Sequence, residues 1–172
     1  GCADPYDYRR RYVVSADGLW VCDDIWAPGA AFSLVASANT IFGDADITRG
    51  RIQMSINRKG YLAVSSGNKF ACSFNYGATW TVTDFTPHAT GNPTPGVSSF
   101  VLSQRNSASE TDGVLYLAYR IQGAAWGFPT QWRIFKSTDW GRTWNLRPNL
   151  NYSANFGNYE AYMHIPYTRG PN

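Results

Sequence analysis

Short apolar runs that open with glycine recur along the chain, and each predicts a β-strand. They are Gly18–Cys22, Gly60–Val64 and Gly113–Ala118, and their opening glycines lie 42 and 53 residues apart. No segment has a sustained period of 3.6 residues, so we expect almost no helix. Repeats of this length are typical of β-propeller blades, each made of four short antiparallel strands. The pattern therefore predicts an all-β fold.

Further strand-like runs complete the two later repeats. The middle repeat begins with a strand at Arg51–Asn57, and the next begins with one at Ser98–Gln104. A second apolar run follows the glycine-opened one in each repeat, at Lys69–Cys72 and at Trp132–Phe135. Thr86–Gly96, rich in proline and glycine, is the expected linker between the repeats, and Gly123–Thr130 is the expected insertion.

An octapeptide occurs twice at blade spacing and follows the second apolar run each time. Both copies fit the pattern S-x-[DN]-x-G-x-T-W. Each copy predicts a tight hairpin, in which the Asp or Asn side chain bonds backbone amides two residues on and glycine takes a positive φ. Serine and threonine hydroxyls bond further amides, and the final tryptophan is buried between blades. The structural residues are Ser73, Asn75, Gly77, Thr79 and Trp80 in the first copy, and Ser137, Asp139, Gly141, Thr143 and Trp144 in the second.

These octapeptides resemble the Asp-boxes, or BNR repeats, of sialidases, xyloglucan-degrading glycoside hydrolases and sortilin-type receptors. The resemblance covers about residues 50 to 165. It implies a β-propeller in which the Asp-box lies at the periphery of the blade, away from the central site. The octapeptides are therefore expected to be structural, because a shared fold does not by itself imply a shared activity.

The repeats predict a partial propeller of about three four-stranded antiparallel blades. Residues 1–49 form a degenerate first blade with an N-terminal arm, because no octapeptide follows Gly18. Residues 50–86 and 97–150 are the two Asp-box blades, and 151–172 begin a further one. Since propellers close with four to eight blades, we expect either further blades from the same gene or a second copy of the chain to complete the ring.

Composition narrows the classes of partner. Aromatic residues make up 16% of the chain, which suits both packing between sheets and stacking on sugar rings. The formal net charge of +3 and one short basic run, Arg9–Arg11, do not indicate nucleic-acid binding. No apolar stretch is long enough to span a membrane as a helix. The chain has no recognisable leader, and extracellular, cell-surface or periplasmic locations all fit.

The three cysteines, Cys2, Cys22 and Cys72, are compatible with one disulfide and a free thiol or with three thiols. Neither cysteines nor the two histidines show zinc-ligand spacing. We therefore expect neither a metal nor another cofactor.

Two arginines are the first candidates for ligand binding. In sialidases an R-I-P motif supplies one arginine of a triad that binds the substrate carboxylate, and Arg51-Ile52-Gln53 is similar to it except for Gln53. The planar guanidinium group suits a carboxylate. Arg120 closes an inner strand, and Trp126 and Phe128 offer aromatic rings in the insertion.

Catalytic residues are not assigned. Asp44 and Asp46 precede the middle blade, and Tyr159-Glu160 are adjacent in sequence instead of lying on separate blades; neither set forms a glycosidase carboxylate pair. Two functions remain: glycan recognition, alone or as part of a sialidase-like glycoside hydrolase, and a structural or adhesive propeller that binds protein or its own copies. We expect the isolated chain to bind saccharides weakly at most and not to hydrolyse them.

Overall fold

The protein is all-β. The computed structural model describes residues 1–88, 96–103, 113–121, 130–147 and 152–154. Three antiparallel sheets account for the described strands, and one five-residue helix and a single 3₁₀ turn, Thr86–His88, are the described helical elements. The sequence prediction of an all-β chain with almost no helix is thus confirmed.

The strands follow one another in chain order within each sheet. The first sheet has the order β1-β2-β3-β4, the second β5-β6-β7-β8, and the third β9-β10-β11-β12, with β13 pairing with β11. The strands are β1 (Cys2–Asp4), β2 (Asp7–Val14), β3 (Gly18–Cys22), β4 (Ser33–Ser37), β5 (Arg51–Met54), β6 (Leu62–Ser66), β7 (Lys69–Ser73), β8 (Thr81–Asp84), β9 (Gly96–Leu102), β10 (Leu115–Ile121), β11 (Thr130–Ser137), β12 (Asn145–Leu146) and β13 (Tyr152–Ala154).

Most strand predictions hold to within a few residues. The glycine-opened runs become β3, β6 and β10, and the predicted first strands of the two later repeats become β5 and β9. The predicted insertion Gly123–Thr130 lies outside the described residues except for Thr130, where β11 begins. Of the segment 151–172, only β13 is described, and it pairs with β11 in the third sheet.

The first sheet departs from the other two at both edges. In the other two sheets an octapeptide follows the third strand and leads to a fourth. In the first sheet helix α1 (Ala38–Phe42) follows the last strand, β4, and the strand at the opposite edge is the short β1. Ser37 ends β4 just as Ser73 ends β7, and its hydroxyl accepts a hydrogen bond from the Thr40 amide as the N-cap of the helix. At the other end of α1, the Lys69 ammonium group bonds the Phe42 carbonyl and so ties the helix to the second sheet.

The three sheets stack in sequence, with the second sheet between its neighbours. Two clusters of buried side chains fill the gaps, one between the first and second sheets and one between the second and third. Alternation along β6 serves both clusters: Leu62 and Val64 enter the first, and Ala63 enters the second. Every residue of β6 is therefore buried.

The first strands of the sheets lie side by side. Strand β5 contacts β1 and β2 on one side and β9 on the other. Among the described residues, the last strands β4, β8 and β12 make no comparable contact with one another. The sheets therefore approach each other most closely along their first strands.

Candidate functional site

The two octapeptides fold into the same hydrogen-bonded turn. The Ser73 hydroxyl accepts bonds from the amides of Asn75 and Gly77 at 3.3 and 2.8 Å. The Ser137 hydroxyl accepts bonds from the amides of Asp139 and Gly141 at the same two distances. The predicted tight, internally bonded hairpin is thus confirmed for both copies.

The side chain in the third position of the octapeptide bonds further along the chain than the sequence predicts. Asn75 Oδ1 accepts a bond from the Thr79 amide, and Asp139 Oδ1 accepts one from the Thr143 amide, both at 2.9 Å. The span is four residues instead of two, because the chain turns back before it reaches the threonine. Partial burial opposes ionisation of Asp139, but bonds from Thr143 and Ser137 outweigh it and lower the pKa of the carboxyl.

Each turn packs against the sheet that precedes it. Gly77 and Gly141 have φ angles of 92° and 86°, which glycine adopts at little cost. A Cβ atom on Gly77 would come within 2.8 Å of Val35 in the first sheet, and one on Gly141 would meet the Phe70 ring in the second. Glycine is therefore required both by the turn and by the packing.

The buried ring of the octapeptide is not the one that the sequence predicts. Trp80 and Trp144 occupy equivalent positions, as expected, but both are only partly buried at the edges of the two clusters. Trp140 is fully buried instead, and its carbonyl accepts a bond from the Tyr61 hydroxyl at 2.6 Å. An aromatic residue before the glycine in both octapeptides is the sequence signal for this.

An open pocket lies where the first strands of the second and third sheets meet. Its volume is about 340 Å³, and its described lining comes from the chain start, β5 with the residue before it, and β9. These residues are Gly1, Gly50, Arg51, Ile52, Gln53, Ser99 and Phe100. The octapeptides join the third and fourth strands of their sheets, so the pocket and the turns occupy opposite sides of the stack.

Gln53 bridges the two strands beside the pocket. Its amide nitrogen donates to the Phe100 carbonyl at 3.0 Å, and its amide oxygen accepts from the Leu102 backbone N–H at 3.2 Å. β5 and β9 belong to different sheets and have no backbone hydrogen bonds to each other. The Gln53 side chain links them instead. Sequence reasoning treated this glutamine only as a departure from the R-I-P pattern and missed its role, because no local signal marks a partner 47 residues away.

The two candidate arginines lie on different sides of the third sheet. Arg51 lines the pocket on β5. Arg120 lies on β10 between Gly96 and Trp132 and is 8% exposed. Its neighbours Tyr119 and Ile121 belong to the cluster that faces the second sheet, so alternation directs Arg120 to the other face. The two guanidinium groups therefore do not face each other across the pocket.

The other candidates do not assemble into a catalytic pair in the described part of the chain. The Asp44 carboxylate is 2.7 Å from the Lys69 ammonium group beside the end of α1, where it has a structural role. Trp126, Phe128, Tyr159 and Glu160 lie outside the described residues.

All three cysteines are thiols. Burial raises the pKa of Cys72 to about 12 and that of Cys2 to about 11. Neither is a reactive thiolate at neutral pH.

In the described part of the chain, no three His, Cys, Asp or Glu side chains group closely enough to hold a metal ion. Its helical segments are all too short to cross a bilayer.

Comparison with known proteins gives no assignment. No protein-family model matches the chain, and no curated protein is significantly similar to it.

Proposed function

We propose that this chain is part of an Asp-box β-propeller and that the pocket at its first strands binds the acidic group of a glycan. The observation that carries the proposal is the position of Arg51, which lines a pocket at the edge where the sheets converge. Two turns with the same bonds from backbone amides to the serine hydroxyl, each packed on the preceding sheet, support the Asp-box assignment.

The pocket lining suits a carboxylate- or sulfate-bearing sugar. The Arg51 guanidinium group supplies a permanent positive charge with several donors. Gly50 and Ser99 also line the pocket, together with the apolar residues Ile52 and Phe100. Gln53 holds the two walls at a fixed separation. The described lining contains one arginine and comes only from the chain start, β5 with the residue before it, and β9. We therefore expect weak binding.

Binding is tested by titrating the protein with sialyllactose and with neutral lactose and following amide shifts by NMR. We expect shifts at β5 and β9 with sialyllactose alone, and their loss in Arg51→Ala. Arg147→Ala, which removes an exposed arginine next to β12, is the matched control and should bind normally. Shifts unchanged in Arg51→Ala would refute the proposed site.

Catalysis by this chain is not part of the proposal. Hydrolysis of a glycoside needs an acid and a second carboxylate on either side of the bond. We expect no product from fluorogenic sialosides or β-glucan oligomers. Turnover that disappears in Arg51→Ala would restore the hydrolase hypothesis.

A structural or adhesive role is the second candidate. The observation that favours it is the apolar outer face of the first sheet, where Val13 and Leu34 are exposed.

A further inference from the structure

The segment that joins the third strand to the fourth differs between the sheets. In the second and third sheets it is the octapeptide turn, over residues 74–80 and 138–144, and each turn packs on the preceding sheet. In the first sheet residues 23–32 join β3 to β4, and this β3–β4 loop is three residues longer than either turn. The same place in the scaffold therefore carries a different structure.

Backbone hydrogen bonds hold the β3–β4 loop in shape. The Ile25 N–H donates to the Arg9 carbonyl on β2 at 3.1 Å, which fixes the base of the loop to the sheet. Beyond it, the Asp24 carbonyl accepts from the Ala27 N–H at 3.3 Å, and the Ala27 carbonyl accepts from the Ala30 N–H at 3.0 Å. The loop thus satisfies part of its own backbone from within.

The tip of this loop is exposed and almost without polar side chains. It runs over Trp26–Phe32, with the sequence Trp-Ala-Pro-Gly-Ala-Ala-Phe, and every one of these residues is exposed. Trp26 is 69% exposed and Phe32 is 45% exposed. The indole N–H is the one side-chain hydrogen-bonding group in the tip. Runs of exposed apolar residues this long are disfavoured on a protein surface unless they have a function.

The charged residues at the base of the loop compensate one another. The Arg10 guanidinium group donates to the Asp23 carboxylate at 2.8 Å, and that of Arg9 lies 3.8 Å from the Asp24 carboxylate. From Ile25 to Gly43 the chain has no charged residue at all. The loop therefore presents an apolar tip next to paired charges, and it has no excess charge with which to select a charged partner.

These features suit a lipid surface better than a protein partner. A specific protein interface carries about one hydrogen bond per 100–200 Å², and the side chains of the tip offer a single donor. The interface of a bilayer requires no directional partner, and it favours tryptophan together with other apolar side chains. Backbone groups that enter it must be satisfied within the protein, as they are between Ala27 and Ala30.

We infer that the tip Trp26–Phe32 inserts into the interfacial region of a lipid bilayer and holds the protein reversibly at the membrane surface. Anionic lipid is not required, because the charges at the base of the loop are already paired. The loop joins the third and fourth strands of its sheet, whereas the pocket lies at the first strands. Membrane binding therefore stands or fails independently of the proposed glycan site.

Co-sedimentation with phosphatidylcholine vesicles tests the inference. We expect the wild-type chain to partition onto the vesicles and the partition coefficient to fall at least about tenfold in Trp26→Ser and in Phe32→Ser. One tenfold step is about 1.4 kcal/mol, which burial of a large apolar side chain exceeds. Val82→Ser, at a 41% exposed valine on β8, is the matched control and should partition like the wild type. A wild-type chain that does not partition, or partition unaffected by both loop variants, overturns the inference.

Quenching by brominated lipid tests which ring enters the bilayer. We expect vesicles of brominated phosphatidylcholine to quench part of the tryptophan fluorescence of the wild-type chain. Trp26→Phe keeps an aromatic ring in the tip, so this variant should still bind while its fluorescence escapes quenching. Quenching that is the same in the wild type and in Trp26→Phe contradicts insertion of the tip.

Two further measurements separate insertion from other causes of binding. Vesicles with added phosphatidylglycerol should bind the wild-type chain no more than a few times better than neutral ones. Binding that appears only with anionic lipid shows adsorption by basic residues such as Arg9–Arg11 and overturns the inference. Without lipid, the wild-type chain and Trp26→Ser should sediment alike. Self-association that Trp26→Ser abolishes shows that the tip binds protein instead, and it also overturns the inference.

Discussion

At the scale of single residues, Gln53 joins two sheets that have no backbone pairing with each other. Both polar atoms of its amide are used, one as donor to Phe100 and one as acceptor from Leu102. A side-chain amide can do this because it carries the same donor and acceptor as a peptide group. Its loss would leave two backbone groups beside the pocket without these partners.

We therefore predict that Gln53→Met, which keeps the length and removes both bonds, lowers the free energy of unfolding by about 1–3 kcal/mol. Urea denaturation measures it. Because the pocket walls lose their link, the variant should also weaken sialyllactose binding if the proposed site is correct. A variant as stable as the wild-type chain would show that the bridge contributes little.

Trp140 is the largest fully buried side chain of the described residues. Trp140→Ala should cost about 3–5 kcal/mol, as for other large rings removed from a core. Trp144→Ala should cost clearly less, because that ring is only partly buried. Trp26, 69% exposed, is the control, and its replacement should change the free energy of unfolding by less than about 0.5 kcal/mol. Equal costs at Trp140 and Trp144 would contradict this ranking.

At the scale of elements, the octapeptide turn is the repeated unit. Its hydrogen bonds are kept whether the third residue is asparagine, as at Asn75, or aspartate, as at Asp139. In the first copy the Asn75 amide donates to the Thr79 hydroxyl at 2.9 Å, and in the second the Thr143 hydroxyl donates to the Asp139 carboxylate at 2.6 Å. The threonine hydroxyl reverses its role, so the number of bonds is the same with either residue.

This exchange predicts how the second turn depends on pH. The pKa of Asp139 is lowered in the folded protein. The stabilisation from its carboxylate is therefore complete above the unfolded value of about 3.9 and is lost as the pH falls through the lower, folded value. Asp139→Asn removes this dependence. Near neutral pH the wild type should unfold at a higher urea concentration than Asp139→Asn, and in acid the two midpoints should become equal. A difference between the midpoints that stays constant with pH would show that ionisation of the Asp139 carboxyl does not cause it.

Removal of the serine hydroxyl should affect both turns alike. Ser73→Ala and Ser137→Ala each deprive two backbone amides of their acceptor in a buried position, so each should cost about 1–3 kcal/mol. Ser33→Ala, at an exposed hydroxyl, is the control. Costs that differ strongly between the two turns would contradict their equivalence.

The sequence predicts the secondary-structure elements better than the contacts between them. Strand periodicity and the octapeptide are local, so β6, β7, β10 and β11 were predictable. The burial of Trp140, the bridge by Gln53 and the separation of Arg51 from Arg120 depend on how distant segments stack. The positions of these side chains depend on which strands pair and in which register. The sequence alone does not show that pairing.

At the scale of the whole molecule, the second sheet contributes to both buried clusters, so the stability of the two interfaces is linked through it. We predict that amides of β6 exchange with deuterium most slowly, since this strand is paired on both edges and buried on both faces. Amides of β8, at an edge and largely exposed, should exchange much faster. Comparable protection in β6 and β8 would contradict the prediction that the strand buried on both faces is the most protected part of its sheet.

Ser37, Ser73 and Ser137 each end a strand but lead to different structures. Glycine stands four residues after the second and third serines, and Ile41 stands four residues after the first. The strand before the serine is unaffected by this difference. A strand that ends in serine can therefore lead into either a turn or a helix. In this chain the helix contributes Ile41 and Phe42 to the core and gives Lys69 a carbonyl to bind. The segment that follows β4 therefore links the first sheet to the second through a side-chain hydrogen bond, where the later sheets have a turn packed on the preceding sheet.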